Sequence, residues 1–94
     1  MPTLDDFAAL LGERFDLQVD DAASLPVELV EAQPLGGAAF GGRQAFSLLF
    51  NAPATPLLPQ RIYRLAHARL PALDIFLVPV GADAAGGRYQ AIFS

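Results

Sequence analysis

Few residues in this chain could carry chemistry. His67 is the single imidazole, there is no cysteine, and the candidate hydroxyls are Thr3, Ser24, Ser47, Thr55 and Ser94. Hydroxyl chemistry needs a nucleophile, a base and a group that orients the base. His67 could approach Asp74 across a hairpin, but no nucleophile is placed to complete a triad. Ser47 lies inside an apolar run, not on a strand-to-helix elbow, so it reads as structural. Asp5-Asp6 and Asp20-Asp21 are adjacent pairs, and adjacent side chains diverge on a helix or strand. Asp16 could join Asp20 and Asp21 around a cation, yet the spacing is not that of a calcium loop. Gly36-Gly37 and Gly41-Gly42 suggest a phosphate loop only superficially. A Walker loop needs a Lys, which the chain lacks, and a dinucleotide fingerprint needs a helix directly after the glycines. No catalytic, cofactor or metal site is expected.

The elements that hold these residues are mostly strands. Thr3 caps a helix that carries Asp5 and Asp6 in its first turn, at the positive end of the dipole. Leu4, Phe7, Leu10 and Leu11 recur at helical spacing and Gly12 stops it, so Phe7, Leu10 and Leu11 are expected to dock. From Glu13 to Val19 apolar and polar residues alternate, as they do from Val27 to Ala32; both read as half-buried strands. A Gly-rich loop from Pro34 to Gly42 separates them from a third strand, Gln44 to Phe50, apolar on both faces. The Pro-rich stretch from Asn51 to Pro59 reads as an ordered extended loop, because Pro cannot donate to a ladder. Further strands are expected over Gln60 to His67, Leu73 to Val80 and Arg88 to Phe93, with a hairpin loop over Ala68 to Ala72. No helix separates the strands. The fold class is therefore α+β, mainly β: one domain over residues 1–94, with a helix over 1–12 and an antiparallel meander over 13–94. The sheet is either open or curled into a partly closed small barrel.

Composition narrows the function classes. The chain has 94 residues, 53% of them apolar and 17% charged, against about 25% charged in ordinary soluble domains. Either the core is unusually full or an apolar patch meets a partner. Residues 1–31 hold eight acids against Arg14, a net of −7, and residues 32–94 hold five Arg against Asp74 and Asp83, a net of +3. An acidic total without a basic stripe argues against nucleic acid. All six basic residues are Arg. Codon bias explains that blandly; the sharper reading is bidentate pairing with carboxylates. No secretory leader is visible and no apolar run approaches ~18 residues, so a cytoplasmic protein away from membranes is expected.

Five blocks carry a family resemblance: Leu11-Gly12-Glu13-Arg14-Phe15, Phe46-Ser47-Leu48-Leu49-Phe50, Ile62-Tyr63-Arg64-Leu65-Ala66-His67, Phe76-Leu77-Val78-Pro79-Val80-Gly81 and Arg88-Tyr89-Gln90-Ala91-Ile92-Phe93. Together they resemble a family of short bacterial proteins, a domain of unknown function, along essentially the whole chain. The Gly-rich segment is longer than the pattern. The resemblance implies an association with tail-collar or microcystin-dependent-type fibre proteins of phage tail-like assemblies, and it supplies no functional residues.

The function expected is a non-enzymatic structural or interaction module. It self-associates as a dimer or binds a protein partner such as a tail-collar-type fibre protein. Strands apolar on both faces would supply the contact. Phe76 and Arg61, Arg64 and Arg88 are the candidate interaction residues, the arginines pairing with acids of the first 31 residues. The alternative is a barrel that binds a small apolar ligand, although Phe15, Phe46, Phe50, Tyr63, Phe76 and Phe93 would fill a barrel of this size.

Overall fold

The computed structural model describes residues 2–36 and 44–93. The element order is α1 (Leu4–Ala8), β1 (Arg14–Gln18), β2 (Ser24–Pro34), β3 (Phe46–Ala52), β4 (Arg61–His67), β5 (Leu70–Asp83) and β6 (Gly86–Phe93). All ladders are antiparallel and the strands close into a barrel in the order β1-β2-β3-β6-β5-β4. The fold class agrees with the alternation in the sequence. The strand order is not one continuous meander. It is two three-strand meanders, β1–β3 and β4–β6, joined by β3 on β6 and β1 on β4.

The two meanders share a plan. In each, the long middle strand pairs first with the strand before it and then with the strand after it. Residues Ser24 to Glu28 of β2 pair with β1, and Glu28 to Pro34 pair with β3. Residues Leu70 to Leu77 of β5 pair with β4, and Val78 to Asp83 pair with β6. Each middle strand has a register shift in its second ladder, at Leu29/Glu31 and at Pro79/Gly81. Such bulges bend a strand and let it serve two neighbours in turn.

This plan explains why the strand ends differ from the local turn signals. β5 starts at Leu70, so only Ala68 and Arg69 separate it from β4 where a longer loop was expected. Pro71 and Pro79 do not break β5, because a strand that changes partners has positions without a ladder donor to lose. β6 starts at Gly86, whose φ of +144° suits glycine. A Cβ at Gly86 would also collide with the Ala52 carbonyl oxygen.

α1 has a capping box: the Asp6 N–H donates to Thr3 Oγ1 (3.3 Å) and the Thr3 N–H donates to Asp6 Oδ2 (2.9 Å). It is shorter than the apolar spacing suggested. The chain turns after Ala8, reaches Gly12 at φ +83°, and enters β1 by the Gly12 N–H bond to the Leu29 carbonyl (2.7 Å). That turn rotates Leu11 out to solvent, 49% exposed, while Phe7 and Leu10 are buried. Leu11 therefore does not dock.

Phe7 plugs one mouth of the barrel, with its ring 6.4 Å from Phe15, 5.9 Å from Phe46 and 5.6 Å from Phe93. Phe46 and Phe93 stack at 4.7 Å across the β3–β6 ladder. The segment 53–60 closes the opposite mouth with Leu58. The Leu58 N–H donates to the Tyr89 hydroxyl (2.9 Å), and the Tyr63 hydroxyl donates to the Pro59 carbonyl (2.6 Å). Between the plugs, Leu17, Val27, Leu29, Leu48, Phe50, Leu65 and Leu77 fill the interior. Full burial of such a side chain stabilises by about 1.5–3 kcal/mol, so the interior ring holds the barrel shut. Among the described residues no helix is long and apolar enough to cross a membrane.

Candidate interaction surface

The side chains that point out of the barrel differ between the two meanders. On β1 and β2 the outward residues include Arg14, Asp16, Gln18, Glu28, Glu31 and Gln33. On the second meander they include Ile62, Phe76, Val80 and Ile92, exposed by 61%, 48%, 52% and 61%. Ile62 and Phe76 are direct cross-strand partners in the β4–β5 ladder. Val78, half-buried, is next along the same face of β5, and Ile92 lies two residues beyond its partner Gln90 on β6. Val80 is the residue extruded at the Pro79/Gly81 bulge. The result is a contiguous apolar face on β4, β5 and β6. Strand alternation produces it: where both parities of a strand are apolar, one set fills the core and the other faces water.

The charges beside this face are satisfied locally. Arg64 pairs with Asp74 at 3.5 Å in the ladder row next to Ile62 and Phe76. Arg88 Nη2 donates to Asp83 Oδ2 at 2.9 Å. That bond, helped by the Ala85 N–H, holds the Asp83 carboxyl below the usual carboxylate range. Arg61 donates to the Val19 carbonyl, and its guanidinium lies 4.6 Å from the Tyr63 ring centroid. Burial pushes the Tyr63 hydroxyl up, and the Arg61 charge opposes part of that shift. Arg64 and Arg88 thus bond to acids of their own meander, not to acids of the first 31 residues. Phe76 stands on the outer face, 48% exposed, so it is not one of the rings that fill the barrel, because the inward parity of β5 belongs to Ile75 and Leu77.

His67 and Asp74 are not brought together. His67 shares the inward parity of Tyr63 and Leu65, whereas Arg64 and Asp74 occupy the outer face. The imidazole packs 4.7 Å from the Phe15 ring centroid. Its Nδ1 accepts the Arg69 backbone N–H at 3.0 Å, which leaves Nε2 to donate to Glu13 Oε1 at 2.9 Å. Arg69 Nη2 adds a contact to Glu13 Oε2 at 3.3 Å. Both ring nitrogens are therefore occupied, and the group clasps the β4–β5 turn to the entry of β1. The Glu13 partner was legible only as an acid at a strand start, because the β1–β4 pairing that joins it to His67 has no local signal.

The other polar candidates are also engaged or dispersed. Asp6 serves the helix cap, and Asp20 Oδ1 accepts the Ala22 N–H at 2.8 Å. Asp16, Asp20 and Asp21 border an open hollow of about 310 Å³ with Gln18, Ser24 and Arg64. A second open hollow, about 440 Å³, is lined by Arg14, Glu28 and Asn51 among others. Among the described residues no group of three His, Asp or Glu side chains could hold a metal ion. Ser47 sits within β3 opposite Ile92. Residues 37–43, which include most of the glycines read as a loop, lie outside the described residues. The two tyrosine hydroxyls that anchor segment 53–60 had no sequence signal beyond the amphipathic character of Tyr.

No curated protein and no solved structure matches the chain. A family model described as a domain of unknown function, DUF6916, matches residues 2–93. A match over that span places the chain in that family: it is a member of the DUF6916 domains.

Proposed function

We propose that this protein is a non-enzymatic interaction module that docks through the outer face of β4–β6. The observation that carries the reading is the apolar face of Ile62, Phe76, Val80 and Ile92, flanked by ion pairs already closed within the same meander. Contiguous exposed apolar patches rimmed by polar residues mark contact sites. The two nitrogens of His67 are committed to Glu13 and to the Arg69 backbone, which leaves no imidazole for proton transfer. The apolar-ligand reading is disfavoured by the interior, where Phe15, Phe50, Tyr63 and Tyr89 occupy the space a ligand would need. A tail-collar-type fibre protein is the partner suggested by the family resemblance, and is the first chain to co-express.

A photo-crosslinking amino acid placed at position 76, and in a control at position 16, tests the reading. Adducts to a defined second polypeptide, or to a second copy, are expected from position 76 and not from position 16. Equal adducts from both positions, or none from position 76, overturn it.

A further inference from the structure

We infer that the occupant of this face is a second copy of the same chain, seated on it about a two-fold axis beside Phe76. The inference rests on the docking reading above and goes further by naming the partner. A two-fold contact sets a patch against itself, so the patch must be self-complementary. This one is: the Ile62–Phe76 pair offers apolar surface to apolar surface, and the adjacent Arg64–Asp74 row carries one charge of each sign. Rotated onto itself, that row can offer the Arg64 of one copy to the Asp74 of the other.

A head-to-tail arrangement fits less well. It would press Phe76 against the outer face of β1 and β2, where Arg14, Asp16, Gln18 and Glu28 surround the exposed Pro26. It would also leave the chain's largest exposed strand hydrophobics facing charge. The two-fold arrangement instead turns the acidic N-terminal meanders away from each other, which matters for a chain of net charge −4. The area required is modest. A specific contact must clear about 1,000 Å² in total, about 500 Å² per copy, which is less than a tenth of the 5584 Å² of surface on one chain.

Sedimentation equilibrium of the full chain from low to high micromolar concentration tests this. The wild type is expected to move from 10.0 kDa toward twice that mass. Phe76→Glu places a charge at the centre of the contact and should raise the dissociation constant by at least about thirtyfold, the effect of losing a central aromatic anchor. Because Phe76 points outward, the variant should keep the wild-type far-UV spectrum; Ile92→Glu serves in its place if it does not. A second arm mixes Arg64→Asp chains with Asp74→Arg chains. Their rims are all acidic and all basic, so mixed dimers should exceed either homodimer. A wild type that remains a monomer throughout overturns the inference. So does a dimer that survives both Phe76→Glu and Ile92→Glu, or a mixture without excess mixed dimer. A monomer whose position 76 still crosslinks to a different chain overturns the second copy alone and leaves the docking reading standing.

Discussion

The two meanders of this barrel share one pairing plan and differ in what they show to water and in how they close their end. The first presents charges outward and is preceded by a helix whose Phe7 completes an aromatic cluster with Phe15, Phe46 and Phe93. The second presents Ile62, Phe76, Val80 and Ile92 outward and is preceded by a Pro-rich segment that supplies one buried leucine. Backbone pairing makes the barrel, and it is indifferent to what the outer side chains do. The outer faces can therefore differ: one presents charged side chains, the other apolar ones. The plugs diverge in a related way. The helix plug is held by burial, the Pro-rich plug by one leucine and two tyrosine hydrogen bonds.

The largest expected effect tests the plugs against each other. Phe7→Ala should cost about 3–5 kcal/mol, since the ring is wholly buried and its pocket is lined by three other rings. Leu58→Ala should cost less, near the lower end of the ~2–5 kcal/mol range for leucine, because Leu58 sits at the barrel mouth and is less completely buried than Phe7. Urea denaturation of both variants checks the order. Equal losses would mean the two mouths are closed by the same means.

A smaller effect isolates the hydrogen bonds of the second plug. Tyr89→Phe keeps the ring and removes the hydroxyl that accepts the buried Leu58 N–H. A buried donor left unpaired costs about 1–3 kcal/mol, read as a lower urea midpoint at unchanged slope. Tyr63→Phe frees the Pro59 carbonyl on an exposed residue that water can reach, so its loss should be smaller. Should Tyr63→Phe be the costlier change, Leu58 would not be what anchors the segment.

The smallest effects are the pH dependences, and both belong to the second meander. Asp83 is held below its ordinary pKa of 3.8 by Arg88. Its contribution is therefore present above the unfolded value and fades as pH falls through the folded one. Tyr63 is raised above 10.0 by burial. Its contribution is full below that value and fades as pH rises through the folded pKa. Melting curves from neutral pH to acid should fall less for Asp83→Asn than for wild type, and from neutral pH to alkali less for Tyr63→Phe. Identical slopes in wild type and variant would remove that group from the account.

Much of the barrel was legible because alternation is local. The residues between Glu13 and Val19 carry their own record of which side faces in, whereas Phe46 to Phe50 and Ile62 to Leu65 record a strand without fixing its inner face. The helix start was legible for the same reason: Thr3 and Asp6 are close enough in sequence to complete a capping box. The strand ends were less so. Pro79 and Gly81 look like breakers in isolation, and they flank the bulge of β5 just after it changes partners; Pro71 lies near the start of β5, where it pairs with β4 alone. Leu11 fits a helical stripe, but a turn directs it outward.

By itself the sequence determined the strand set, the apolar excess, the contrast in charge between the halves and the scarcity of catalytic residue types. The tertiary structure alone decided which strands meet. It joined β1 to β4 and β3 to β6, and so gave His67 to Glu13 and Leu58 to Tyr89. It also decided which apolar residues remain outside. Alternation says that a strand has two faces; only closure of the barrel assigns one of them to a shared interior, because that interior exists only once all the strands have paired.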